Sequence, residues 1–315
     1  MKFFVASVLL AVFDESAWAQ PDRGMEGDGS RRVAVSRVPP IAIPESESPV
    51  IIFSAQTTDG RTVKTVWRRP AGDGPVPVVL VVQGSLDEIP LDRLRGFVLG
   101  NSVGTRLLNA GYAAAATSPR SYAADIQSPA PIDDVRTVVR VLARQPGVDP
   151  SQIFLYGGSG GGSIVLELAS EEMVRAVAAG EPATLIYTGM LATSDYRVRL
   201  EMMREPALYF TESLRQRTRE KLKTVRVPVL IVHSDQHDLH KFNEPIFLPL
   251  MRQAGVKVEF RLYAGYGHGL YFGSGDDRWG RGADLNVVAA VVSDLDRFFR
   301  AHGATPRKND RQTRR

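Results

Sequence analysis

The sequence contains no cysteine. That single absence excludes disulfides, thiolate metal sites and a thiol nucleophile together. An excess of one charge is nearly missing too: 39 Lys and Arg stand against 35 Asp and Glu, and several of the basic residues fall in Pro306–Arg315. The body of the chain therefore offers no argument for nucleic-acid binding. Long apolar runs are absent. Phe3–Phe13 has eleven residues, against the roughly 20 that span a bilayer. Histidine is scarce, five in 315 residues, which shortens the search for a general base. What remains is 43% apolar and 23% charged, an ordinary globular composition that excludes a disordered, collagen-like or coiled-coil chain.

The first nineteen residues stand apart. Met1-Lys2 is a short positive start, an apolar stretch follows, and Ala17-Trp18-Ala19 is a small-x-small site with cleavage expected before Gln20. These features predict a signal peptide over 1–19 and a secreted or periplasmic protein without stable membrane insertion. Residues 20–48, rich in Pro, Arg, Ser and Glu, read as a linker, 49–303 as one folded domain, and 304–315 as a basic, disordered tail.

Within the domain, Pro49–Thr57 and Arg61–Trp67 are β-rich runs joined by Thr58-Asp59-Gly60, a hairpin signal. Val78–Val82 is an unbroken apolar run, the mark of a strand covered on both faces. Strands are then expected at Tyr112–Thr117, Gln152–Tyr156, Ala183–Thr188, Val229–His233 and Val256–Tyr263. Helices are expected at Leu91–Ala110, Ile132–Arg144, Gly160–Ala179, Asn243–Gln253 and Leu285–Ala301. A hairpin followed by strand-helix repeats predicts an α/β fold with one mostly parallel sheet and helices on both faces. Residues 191–225 interrupt the alternation and read as a helical lid between the sixth and seventh strands.

The sharpest motif is Gly157-Gly158-Ser159-Gly160-Gly161 at a strand-to-helix junction. A serine there must occupy a strained turn, and the glycines two residues to either side remove side chains that would collide across it. The turn lifts Ser159 above the sheet, and the helix beginning at Gly160 supplies N–H groups to an oxyanion. Glycine-rich phosphate loops do not fit, because Ser163 stands where either pattern needs Gly or Lys. A serine nucleophile requires a base and a group to orient it. His268, in the glycine-rich loop after the last strand, is the expected base. The acid is expected after the preceding strand, in His233-Ser234-Asp235-Gln236-His237-Asp238, with Asp238 favoured for reach and Asp235 as the alternative. A metal reading of that histidine-rich segment lacks an H-E-x-x-H spacing, and neither a metal nor another cofactor is expected. The oxyanion donors are expected to be the N–H of Gly160 and that of Ser85, with Gly84 close behind.

With those residues in place, the sequence resembles the α/β-hydrolase superfamily, in its dienelactone hydrolase and prolyl-oligopeptidase-like branch. Val138–Ile153 leading into the elbow, Pro228–His233, Ala254–Glu259 and Gly267-His268-Gly269 carry the likeness. The resemblance implies Ser159, Asp238 and His268 as a triad acting on a small-molecule ester or a short peptide. Three departures matter. Gln83-Gly84 replaces the usual His-Gly, the usual spacing of the acid lands on His237, and no β-propeller domain precedes this region. A serine hydrolase of carboxylic esters is the expectation, with a serine peptidase or a non-catalytic binding protein on the same fold as alternatives.

Overall fold

Unbroken apolar runs build the centre of the sheet in the computed structural model, which describes residues 30–37, 43, 45–84, 88–122, 125–193, 195–272 and 285–307. The predicted signal segment, Ser85 and 308–315 lie outside the described residues. In chain order the elements are β1 (Ser30–Arg32), β2 (Ile51–Gln56), β3 (Thr62–Arg68), β4 (Val76–Val82), α1 (Leu91–Gly96), α2 (Val103–Asn109), β5 (Ala113–Thr117) and α3 (Ala130–Leu142). Next come β6 (Val148–Gly158), α4 (Gly160–Glu167), β7 (Ala176–Gly180), α5 (Thr184–Tyr187), α6 (Tyr196–Arg204), α7 (Pro206–Tyr209) and α8 (Glu212–Leu222). The chain closes with β8 (Val229–Ser234), α9 (His240–Phe242), α10 (Leu248–Gln253), β9 (Val258–Tyr263) and α11 (Leu285–Ala301).

The described strands form one nine-stranded sheet in the order β1-β9-β8-β7-β6-β4-β5-β3-β2. The β2–β3 and β3–β5 pairs are antiparallel, and the others are parallel. Side chains alternate across it: Val78, Leu80 and Val82 of β4 join the core under α3, α4, α8 and α10, while Val79 and Val81 join the core under α1, α2 and α11. Such two-sided burial is why β4 is apolar throughout. The apolar stripe of α11, Val288, Val291, Val292, Leu295 and Phe299, is buried. Among the described residues no helix is long and apolar enough to cross a membrane.

Several boundaries differ from the expectations. The helix expected over 91–110 is two helices, α2 being capped by the Ser102 side chain on Thr105 N–H. Asn243–Phe247 forms a wide π turn before α10, at a stretch that carries Pro245 and is followed by Pro249, neither of which has an N–H to donate. Part of the expected linker belongs to the sheet, since Ser30–Arg32 pairs parallel with Phe260–Leu262. Arg68, fully buried, donates to the carbonyls of Ile43 and Ser48, fastening 43–48 to the body. Residues 304–307 of the expected tail also pack on the domain: Ala304 is buried and Arg307 donates to Ala71 O. The largest change lies between α4 and α5. Ala176–Gly180, expected to close a long helix, is strand β7, and most of Ala183–Thr188, expected to be a strand, is the short helix α5.

Candidate active site

The site gathers at the carboxyl ends of β4, β6, β7, β8 and β9, where loops of a parallel sheet converge. Ser159 sits between β6 and α4 at φ 52°, ψ −117°. A side chain at Gly157 would meet Gly161 O at 2.1 Å, and one at Gly161 would meet Val82 O at 2.2 Å. Both blocking atoms are backbone, so these positions admit only glycine. Gly84 is held as closely, because a Cβ there would lie 1.8 Å from Gly158 O. The Ser159 N–H donates to Gly180 O at 2.9 Å, tying the elbow to the end of β7.

Among the described residues only Ser159 and Glu181 are non-glycines with positive φ. Glu181, at φ 41° and fully buried, follows β7 directly and precedes Pro182. Strain of that kind persists where the surroundings over-determine the backbone. Here they do so on every side. Glu181 N–H donates to Val232 O at 2.7 Å, its Oε2 accepts from Gly269 N–H at 2.8 Å, and its Oε1 accepts from the Ser234 hydroxyl. His268 Nδ1 lies 3.1 Å from the same Oε2. Burial by itself would raise the Glu181 pKa, but the hydrogen bond and charge of His268, with help from His233 and Ser234, hold it below the usual carboxylate range. Glu181 thus occupies the place expected of the acid.

Neither expected aspartate reaches His268. Asp238 pairs with Lys241 at 3.1 Å and stands 4.0 Å from Arg204. Asp235 accepts from Gly265 N–H at 2.7 Å, bracing the loop that carries His268. The physical reason is the shifted β7: once Ala176–Gly180 is a strand, its carboxyl end presents Glu181 beside the elbow, and the turn after β8 has no need to supply the acid. Signals for this existed in the sequence. Ala176–Ala179 is a strand-length apolar run closed by Gly180, and Pro182 restricts the residue before it away from helix.

The three histidines near β8 serve separate ends. His233 is buried, with Nδ1 2.6 Å from Ser234 O and Nε2 2.8 Å from Asn243 Nδ2. Asn243 also donates to Pro182 O at 2.9 Å and pairs with the Thr184 hydroxyl, fixing the backbone just after Glu181. Desolvation pushes the His233 pKa down to about 4. His240 contacts Glu244 at 2.9 Å. His237, which sequence reasoning left without a role at the site, stacks on His268 with ring centres 4.2 Å apart and planes 23° apart. Its Nδ1 accepts from Leu239 N–H at 3.3 Å, which puts the ring proton on Nε2. Burial, with the nearby His268 charge, brings its pKa down to about 4.

Ser159, Gly160, His237 and His268 line one cavity of about 200 Å³, with Leu191 and with Arg199 and Met203 of α6. The segment 191–225 therefore does contribute to the site, while its Phe210 is buried against Phe242. Of the aromatic residues near the base, Phe272 packs edge-on against Tyr156 and Phe97. The Gly160 N–H, expected to meet an oxyanion, donates to Gly84 O at 3.2 Å.

A strained serine, a histidine in the same cavity and a buried carboxylate behind that histidine are the parts of a serine hydrolase, and with the fold they define the chain as an α/β-hydrolase superfamily member. The model of the prolyl oligopeptidase family matches residues 128–281, just under half of the chain, from the start of α3 past the His268 loop. Solved structures agree on the fold. Esterase Est22 is 18% identical with a TM-score of 0.59, covering 82% of each chain. Carboxyl esterase 2 from the mycorrhizal fungus Tuber melanosporum is 16% identical with a TM-score of 0.59, covering 83% of this chain and 88% of that one. Brefeldin A esterase, a bacterial homologue of human hormone sensitive lipase, is 17% identical with a TM-score of 0.58, covering 85% and 80%. No curated protein matches the chain in sequence.

Proposed function

We propose that the protein hydrolyses carboxylic esters through an acyl-enzyme on Ser159, with His268 as general base and Glu181 as the orienting acid. The observation that carries this reading is the contact of His268 Nδ1 with the buried Glu181, in a cavity that also holds the strained Ser159. In the cycle, His268 Nε2 takes the Ser159 proton as Oγ attacks the ester carbonyl. Glu181 stabilises the imidazolium, which then hands its proton to the departing alkoxide. Water activated by the same histidine attacks the acyl-enzyme, releases the acid and restores Ser159. The substrate oxyanion is met by the Gly160 N–H, whose 3.2 Å bond to Gly84 O is long enough to be exchanged for a charged acceptor.

A fluorophosphonate probe tests the mechanism directly: the intact protein is labelled and Ser159→Ala is not. Equal labelling of the two proteins defeats the assignment. The family match favours peptide bonds as a second reading, and side-by-side rates on 4-nitrophenyl acyl esters and 4-nitroanilide peptides decide between them. Export is part of the proposal and rests on the composition of residues 1–19. A secreted or periplasmic chain beginning at Gln20, seen by intact mass, is the expected result. A retained Met1 in protein recovered outside the cytoplasm removes that part.

A further inference from the structure

A second cavity of about 290 Å³ adjoins the catalytic one, and both are walled by Tyr122, Ile126 and Ile186. Size bears on how the two are used. Small-molecule sites usually enclose about 300–1,000 Å³, so the catalytic chamber holds the scissile ester and little more, whereas the two chambers together enter that range. The three shared side chains are mainly apolar, a wall suited to a methylene or ring segment passing from one chamber to the next.

The far chamber has a different character. Its floor carries Glu167 of α4 and Lys221 of α8, which form an ion pair, with the Lys221 ammonium 4.0 Å above the Tyr187 ring and donating to Tyr187 O at 2.8 Å. That pair cancels its own charge. Arg217, one helical turn before Lys221, stands at the same chamber, and its side chain bonds the Ser213 hydroxyl at 3.2 Å. Among the described residues no carboxylate pairs with it. The balance of the far chamber is therefore positive, and Ser159 is not among the residues that line it.

We propose that the far chamber binds the distal end of the substrate, and that this end is a carboxylate held by Arg217. The inference rests on the ester-hydrolase reading above and adds the substrate class: an elongated ester with an apolar middle and an anionic terminus.

The test compares 4-nitrophenyl half-esters of linear dicarboxylic acids of increasing length with 4-nitrophenyl alkanoates of the same length. A parallel series pairs acetate esters of ω-hydroxy acids with acetates of the matching alcohols. In one of the two series kcat/KM favours the carboxylate by about tenfold once the chain is long enough to reach, as expected for one charge-assisted contact at a partly exposed site. The preference shrinks at high salt, and Arg217→Gln brings the ratio to within about twofold. A ratio near one at every length in both series overturns the proposal. So does a preference that survives Arg217→Gln but is lost in Arg199→Gln, because the anion would then sit in the catalytic chamber. Turnover of the neutral esters with no charge preference sinks this inference alone. If no ester is turned over, or if Ser159→Ala matches the parent, the ester-hydrolase reading fails and this inference goes with it.

Discussion

Replacing Glu181 by Gln isolates the charge behind His268, because the surroundings dictate how the amide must sit. The Oε2 position accepts from Gly269 N–H and faces His268 Nδ1, and a backbone donor cannot reverse. The amide oxygen must therefore stay there, while the NH₂ faces Ser234, whose hydroxyl can turn to accept. The His268 tautomer is preserved and only the negative charge is lost. Opposite charges about 4 Å apart attract by roughly 4 kcal/mol at an effective dielectric of about 20. The His268 side chain is 30% exposed, which reduces this to roughly 3 kcal/mol of imidazolium stabilisation. At about 1.36 kcal/mol per tenfold, kcat on a 4-nitrophenyl ester should fall between about 10² and 10³, with KM little changed and fluorophosphonate labelling slowed. Asp238→Asn, made in parallel, should stay within about threefold of the parent, since that side chain faces Lys241 and Arg204. A Glu181→Gln enzyme that folds normally and keeps more than about a tenth of kcat would refute the assignment. An Asp238→Asn variant that loses as much would refute it equally.

Three further outcomes follow from the same contacts. Gly84→Ala forces a methyl group against Gly158 O and the N–H groups of Gly160 and Gly161, all backbone, so it should cost about 3 kcal/mol or more in urea unfolding. An unchanged midpoint would mean that the β4 turn is looser than described. Asn243→Ala leaves Pro182 O, His233 and Thr184 without their shared partner. Unfolding free energy should drop by about 2–4 kcal/mol and kcat should fall as well, because the backbone after Glu181 is released; a loss of stability with kcat intact would separate Asn243 from the site. His233 and His237, both brought down to about 4 by burial, bind protons more readily in the unfolded chain between about pH 4 and the ordinary value of 6.5. Stability should therefore rise with pH through that window and decline on acidification by up to about 1.4 kcal/mol per pH unit per histidine. His237→Phe should flatten the curve by one proton's worth, and an unaltered slope would show that His237 is charged in the fold.

The parts of this protein that follow local rules were legible in the sequence. An unbroken Val-rich β4, the stripe of α11 and the glycines around Ser159 each reflect a constraint that acts within a few residues: burial on two faces, a helical period, a turn with no room for Cβ. The positions of Ser159 and His268 were legible for the same reason, one from its elbow and the other from its glycine-rich loop after the last strand, and the two line one cavity. For β7 the local signals conflicted, because alanine favours helix in isolation while the short run closed by Gly180 suits a strand, and pairing with β6 and β8 in the sheet makes Ala176–Gly180 extended. That misplacement hid Glu181, which follows β7 directly.

Sequence alone determined that a serine stands on a strained turn in an α/β sheet with no thiol to compete for the role proposed for it. The tertiary structure decided which carboxylate stands behind His268. Glu181, Ser234, Gly269 and His268 are brought together from the ends of three different strands, and no spacing along the chain encodes a contact made across strands. The same holds for His237, stacked on His268 from a neighbouring loop, and for the two adjoining chambers that share Tyr122, Ile126 and Ile186. Contacts of that kind exist only once the sheet has set its strand order.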